Sequence, residues 1–229
     1  MKKRVRAALF GSPAGYALYK IVMHQYYSVW KLAAVVNHYR IALLECLSRR
    51  QRDRRLHLGC GNVYLEGWVN IDYYIGRRKM DRWLDISIGL PYREGDVRAI
   101  FTSHVLEHFT IEDGVRVLRE CHRVLTPGGC LRIAVPSLTI ALQHFQRGDI
   151  DEFKEVKGKT VSRRFVSHIL RYNTHPTMYD FEFLRELLDE IGFSRIEEKA
   201  YLDSGVFAAE EIGEMDKYEA ETLFVECRK

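Results

Sequence analysis

Leu56-His57-Leu58-Gly59-Cys60-Gly61-Asn62 places two glycines directly behind a short apolar run, and Asp72 closes the next such run. A strand that runs into Gly-x-Gly can turn tightly and bring its backbone against a ligand with no Cβ in the way. A carboxylate at the end of the neighbouring strand offers two acceptor oxygens, which suit a ribose diol. Tyr64 stands where the dinucleotide fingerprint has its third glycine, and Asp72 follows Gly59 by only thirteen positions. The dinucleotide motif has an interval of about 20 there, so the pattern argues against an NAD site.

A second pattern, His104-Val-Leu-Glu107-His108, matches the H-x-x-E-H of inverzincin peptidases, in which two histidines hold zinc and the glutamate is the base. Such a site needs a helix under the motif and a third ligand. Here the motif starts where an apolar run ends. The five cysteines (Cys46, Cys60, Cys121, Cys130 and Cys227) are scattered with no CxxC pair, which argues against a cysteine zinc site and a disulfide framework and favours a reducing, cytoplasmic setting. No metal is expected.

These residues need a scaffold. Leu56–Leu58, Val69–Ile71, Val97–Ser103, Cys130–Val135 and Thr222–Glu226 read as strands. A helix with Thr110 as N-cap carries Val115, Leu118, Cys121 and Leu125 on one face, and Pro127-Gly128-Gly129 ends it. Another starts at Asp180, carries Leu184, Leu187, Leu188 and Ile191, and closes at Gly192. Strands alternating with helices predict an α/β fold: a doubly wound, mostly parallel sheet. Residues 139–179, with seven Lys and Arg and Thr174-His175-Pro176, break this rhythm and read as a substrate-side insertion.

The run from Leu58 to Asn62, with Glu66-Gly67-Trp68-Val69-Asn70-Ile71-Asp72, resembles the first two S-adenosylmethionine (SAM) motifs of class I methyltransferases. Leu84-Asp85-Ile86 resembles their adenine motif. Ser103-His104-Val105-Leu106-Glu107-His108 resembles the segment after their fourth strand, and the run from Arg123 to Leu131 the turn that follows. The closest likeness is to the type 11 branch, particularly its members associated with surface-glycan synthesis, and the motifs span about residues 56–137. The resemblance implies a Rossmann-like fold with SAM as cofactor. Gly59, Cys60 and Gly61 would pass its methionine part, Asp72 would hold the ribose, Asp85 and Ile86 would meet the adenine, and Ser103 would lie near the sulfonium. Arg98 departs from the pattern, standing where these enzymes commonly carry an acidic residue.

SAM brings its own reactive methyl, so the protein's share is positioning, exclusion of water and, for a hydroxyl acceptor, removal of a proton. Histidine suits that last task at neutral pH. His104 is the first candidate by position and His175, on the substrate side, the second. His57, within a strand, reads as a packed core residue, and His122 as a rim residue. No Asn/Asp-Pro-Pro-Tyr motif of amino methylation is present, which favours an oxygen acceptor. Family resemblance suggests a sugar hydroxyl on a glycan or a lipid-linked glycan precursor. The alternatives are a SAM-binding partner or regulator that does not catalyse, and a nucleic-acid methyltransferase.

Charge is uneven. Residues 1–55 carry a net +10, the remainder a net −6. Residues 16–50 lack Gly and Pro, with Leu18, Val22, Val29, Leu32, Val36, Tyr39, Leu43 and Leu47 at helical spacing, and the Arg49–Arg55 cluster lies near the end of that helix, where it would suit the dipole. This basic, aromatic-rich extension, taken as 1–55 before a 56–229 domain, fits an anionic membrane surface or a cap over the pocket, and fits nucleic acid less well. Lys20 and Lys31 interrupt it too often for a membrane span, and Gly11, Pro13 and Gly15 break any signal-peptide core.

Overall fold

The computed structural model describes residues 13–74, 79–149, 158–171 and 174–229. Lys2, Lys3, Arg4 and Arg6 of the arm, and Lys154 and Lys157 of the insertion, lie outside them, as do the side chains of Tyr16, Tyr26 and Tyr27.

The chain opens with one helix, α1 (Pro13–Leu47), starting on a proline whose fixed φ suits a first helical turn. Its regular apolar stripe faces outward: Leu18, Val22, Val29, Leu32, Val36, Tyr39, Leu43 and Leu47 are all exposed. The docked face is a different one. Ala34, His38 and Ile41 are buried, and Asn37 Nδ2 donates to Trp83 O at 2.6 Å. The arginine cluster lies beyond the helix end, and the last turn holds no basic residue, so the expected dipole role is replaced by tethering. Arg50 pairs with the buried Asp96 at 2.5 Å, Arg54 with Glu45 at 2.7 Å, and Arg55 with Glu211.

The domain is a seven-stranded sheet in the order β3-β2-β1-β4-β5-β7-β6. Its strands are β1 (Arg54–Leu58), β2 (Val69–Asp72), β3 (Arg82–Trp83), β4 (Val97–Ser103), β5 (Leu125–Pro136), β6 (Ser194–Lys199) and β7 (Thr222–Arg228). The first five run parallel; β7 is antiparallel to both β5 and β6. This is the expected α/β, Rossmann-like architecture. The sequence reading missed β3, which has only two residues, and β6, an edge strand whose Ser-Arg-Ile-Glu-Glu-Lys carries a single apolar residue.

Alternation along the central strands splits the core in two. Leu131, Ile133 and Val135 of β5 face α2 (Ile111–Val124) and, beyond α3 (Leu138–Arg147) and α4 (Val161–Leu170), α5 (Phe181–Ile191). Cys130 and Ala134 face Phe207 and α6 (Ala209–Met215). Thr110 and Asp180 cap α2 and α5 through the amides of Asp113 and Phe183, and Gly192 closes α5 in the left-handed region, as expected.

Pro127-Gly128-Gly129 does not end α2, which stops at Val124; it lies within β5. The β4–β5 pairing jumps from Val97↔Leu125 to Ala99↔Cys130, so β5 bulges there. A Cβ on Gly129 would sit 2.9 Å from Thr126 O and 3.0 Å from Arg98 O, which explains the glycine. Arg98 is exposed at this irregularity, and acidic support for the strand comes from the neighbouring Asp96 through Arg50.

The 139–179 insertion supplies α3 and α4, joined by a stacked Phe145–Phe165 pair. Its ends are tied at Ser137↔Tyr179, where Leu138 N donates to Tyr179 O. The pair of helices is thereby anchored beside the carboxyl end of β5.

Candidate cofactor and acceptor site

The carboxyl ends of β1, β2 and β4, with the loop after β3, surround a cavity of about 780 Å³. It lies where the strand order reverses between β1 and β4, the position at which open α/β sheets bind ligands. All seven residues expected at the cofactor, Gly59, Cys60, Gly61, Asp72, Asp85, Ile86 and Ser103, line it, as does His104.

Each comes from a strand end for a physical reason. Gly59 turns with φ 66° and Gly61 with φ 54°. A Cβ on Gly59 would meet Val105 Cγ2 at 2.1 Å, so the β1 turn and the segment after β4 touch only because the side chain is absent. Asp72 locks the same turn: its Oδ2 accepts Gly61 N–H and its Oδ1 accepts Tyr74 N–H, both at 2.7 Å. Each oxygen keeps lone-pair capacity for a further donor. Asp85 Oδ1 accepts from Ser87 N and Ser87 Oγ, fixing the loop that presents Ile86. A carboxylate for hydroxyls, a bare backbone turn and an apolar wall of Leu84 and Ile86 form a donor set that fits SAM.

His57 lies under the turn. Its Nδ1 is 3.0 Å from Asn70 Oδ1, which also accepts Leu65 N–H, so His57 donates. Asn70 Nδ2 in turn donates to Leu65 O, Trp68 O and Asp81 Oδ2. Burial pushes the His57 imidazole down to about 4. It is a neutral structural member, as its place in a strand suggests.

His104 sits at the end of β4 with φ 53°, a left-handed conformation that costs a non-glycine residue free energy and is concentrated at functional sites. Its Nε2 is 3.0 Å from Thr222 Oγ1 and its Nδ1 is 3.4 Å from Glu107 Oε1. Tyr218 packs edge-on at 5.1 Å.

His175 does not reach the cofactor cavity. It lines an adjoining cavity of about 270 Å³ with Glu107, Arg171 and Glu221, and burial holds its imidazole down at about 4. His104, His108 and Tyr218 line both cavities. One ligand atom each of Glu107, His108 and His175 lie within 4.8 Å of one another. The H-x-x-E-H pattern carried that signal, but only the fold could supply His175. Met215, Lys217 and Tyr218, which close the cofactor cavity from the α6–β7 connection, carried no motif at all.

Residues 77–133, about a quarter of the chain, match the family described as "Methyltransferase domain". "Probable tRNA methyltransferase 9B" of Bos taurus and of Homo sapiens are each 35% identical over 65 residues, 28% of this chain and 14% of theirs. The chain thus matches only about a seventh of the length of those relatives. Among solved structures, a SAM-dependent methyltransferase from Archaeoglobus fulgidus is similar over 89% of this chain and all of its own, with 14% identity and a TM-score of 0.48. One from Mesorhizobium loti is similar over 82% of this chain and 96% of its own, with 18% identity and a TM-score of 0.45. The family match falls across β3, β4, α2 and the first part of β5, the stretch that carries Asp85, Ser103 and His104 to the cavity.

Proposed function

We propose that the protein transfers the methyl of SAM to a hydroxyl oxygen, in the first place a sugar hydroxyl of a glycan or lipid-linked glycan precursor. The observation that carries this reading is His104: a histidine on the cavity wall with Glu107 behind one ring nitrogen and a hydroxyl on the other. SAM supplies an electrophilic methyl and leaves as S-adenosylhomocysteine. Asp72 and the Gly59–Gly61 turn hold the cofactor. His104 then takes the acceptor proton at Nε2, where Thr222 Oγ1 now sits, and the nearby Glu107 carboxylate favours the imidazolium by its charge. A neutral amine would not need this pair, because its lone pair attacks before any proton is lost.

His104→Gln should leave S-adenosylhomocysteine affinity within about threefold and lower kcat by roughly 10²–10⁴. The assay is transfer of labelled methyl to soluble glycans, to lipid-linked glycans in anionic vesicles, and to transfer RNA, with products identified by mass spectrometry. Label on RNA alone would replace the glycan reading with the nucleic-acid one, which the partial likeness to a probable tRNA methyltransferase favours. Label only on nitrogen would remove the hydroxyl reading altogether.

The same vesicles test the arm. No described helix is long and apolar enough to cross a membrane. The outward stripe of α1, joined to a net +10 over residues 1–55, supports lying on an anionic surface, since each surface Lys or Arg contributes about 1 kcal/mol there. Salt-sensitive pelleting with the vesicles is the expected result; pelleting unaffected by deletion of residues 1–47 would exclude the arm.

A further inference from the structure

We propose that Glu107, His108 and His175 form a binding site for one divalent first-row transition cation, placed between the cofactor cavity and the insertion. Four observations converge on it. The first is Glu107, which is 0% exposed and, among the described residues, has no hydrogen-bond partner at either carboxylate oxygen. Burying an ionised carboxylate without compensation is among the costliest arrangements a fold can hold. The nearest ring nitrogen, His104 Nδ1, approaches only one of its oxygens, at 3.4 Å.

The second is His108. Its Nδ1 lies 2.9 Å from Thr174 O. A carbonyl can only accept, so Nδ1 carries the proton and Nε2 keeps its lone pair. A backbone carbonyl on one ring nitrogen is how metal-binding histidines are oriented. The third is His175, whose Nδ1 is buried and likewise without a hydrogen-bond partner among the described residues; its ring meets that of His108 edge-on at 4.8 Å. The fourth is convergence: one donor atom from each residue lies within 4.8 Å of the others. Bonds of about 2.0–2.2 Å bring donors to roughly 3–4 Å apart, so side-chain rotations closing the group by about an ångström complete it.

The donors choose the ion. Two imidazoles and a carboxylate suit manganese, iron, cobalt or zinc in the divalent state rather than magnesium or calcium, which prefer oxygen throughout. Three protein ligands leave positions open for an acceptor. Because His104 and His108 also line the cofactor cavity, those positions face the place where the acceptor must lie. Resting on the methyl-transfer reading, the cation would bind an acceptor hydroxyl, lower its pKa and help its proton pass to His104. The peptidase arrangement does not apply: the motif lies on a strand end and a 3₁₀ turn (Leu106–His108), and Glu107 is a ligand, not a base.

The test uses the full chain, free of any histidine tag, stripped with a chelator and titrated with Mn²⁺ alone. One equivalent should bind, with hyperfine coupling to two imidazole nitrogens in pulsed electron paramagnetic resonance. Glu107→Gln and His175→Ala should each weaken binding by at least about tenfold, while S-adenosylhomocysteine affinity shows that both variants are folded. Titration with Co²⁺ should give the same stoichiometry and a visible spectrum that both variants lose. No saturable binding by the wild-type chain, or one equivalent without two nitrogen couplings, overturns the proposal, as does full retention of binding in both variants. Because the metal is measured alone, failure of the methyl-transfer reading would leave this result standing, and the reverse also holds.

Discussion

Gly59→Ala should destabilise the protein by about 2–5 kcal/mol and weaken cofactor binding more than tenfold, although it adds one methyl group. Two costs combine. The residue holds φ 66°, where a Cβ meets the following carbonyl and costs about 1–2 kcal/mol. The new Cβ would also stand 2.1 Å from Val105 Cγ2, with Val105 Cβ at 3.3 Å. Val105 is β-branched and cannot swing away without moving the segment that carries Ser103 and His104. Overpacking of this kind costs about 1–3 kcal/mol. Against a total stability of about 5–15 kcal/mol, the sum is a large fraction, and thermal unfolding should come about 5–15 °C earlier. Adding Val105→Ala removes the clash but not the backbone cost, so the double variant should recover part of both stability and affinity. A single variant as stable and as tight as the parent would mean that the two segments do not touch as described.

Arg132→Met should cost about 3–5 kcal/mol, despite the similar bulk of the replacement. Arg132 is 0% exposed, in the middle of β5. Its Nε and Nη2 donate to Asp216 at 3.0 and 2.6 Å, and its Nη1 donates to Glu226 at 2.7 Å and Asp203 O at 3.1 Å. Asp216 also accepts Leu202 N–H, and Glu226 accepts from Ser204 Oγ and Gly205 N. Removing the one cation leaves two carboxylates buried beneath the 200–216 segment. Neutralising them as well, with Asp216→Asn and Glu226→Gln, keeps the shape and should restore more than half of the loss. The effect should reach the site, because Met215, Lys217 and Tyr218 flank Asp216 and wall the cofactor cavity. Cofactor affinity should fall with stability in the single variant and return in the triple one. Chemical unfolding decides it: an unfolding free energy within about 1 kcal/mol of the parent would show that the cluster does not hold the segment.

Much of this was legible beforehand, and the reasons are local. The Gly-x-Gly turn and Asp72 occur at strand ends marked by apolar runs, so sequence order alone placed them at one edge of a sheet, whereas Asp85 follows a two-residue strand with no such mark and was legible only through the family resemblance. Thr110, Asp180 and Gly192 gave helix ends because capping chemistry is decided within a turn. What escaped was set by partners distant in sequence. The regular stripe on α1 reads like a buried face, yet the docked one is Ala34, His38 and Ile41, chosen by the shape of the β3 loop and Trp83. Arg132 looks like a surface residue until Asp216 and Glu226 are folded over it. His175 reads as a substrate residue, and the tie between Ser137 and Tyr179, with the bonds of Thr174 and Thr177 to His108 and Phe109, brings the insertion round to set it beside His108.

The central claim is that the cavity at the β1 turn binds SAM with Asp72 on its hydroxyls. Calorimetric titration of S-adenosylhomocysteine, SAM and NAD into the wild-type chain and into Asp72→Ala tests it most directly. One molecule of S-adenosylhomocysteine should bind per chain, NAD should not, and Asp72→Ala should weaken binding by roughly ten- to a hundredfold, the cost of losing hydrogen bonds of about 1.5–3 kcal/mol to a charged acceptor. Wild-type protein that binds NAD and not SAM, or an Asp72→Ala variant that binds S-adenosylhomocysteine as tightly as its parent, would contradict the account.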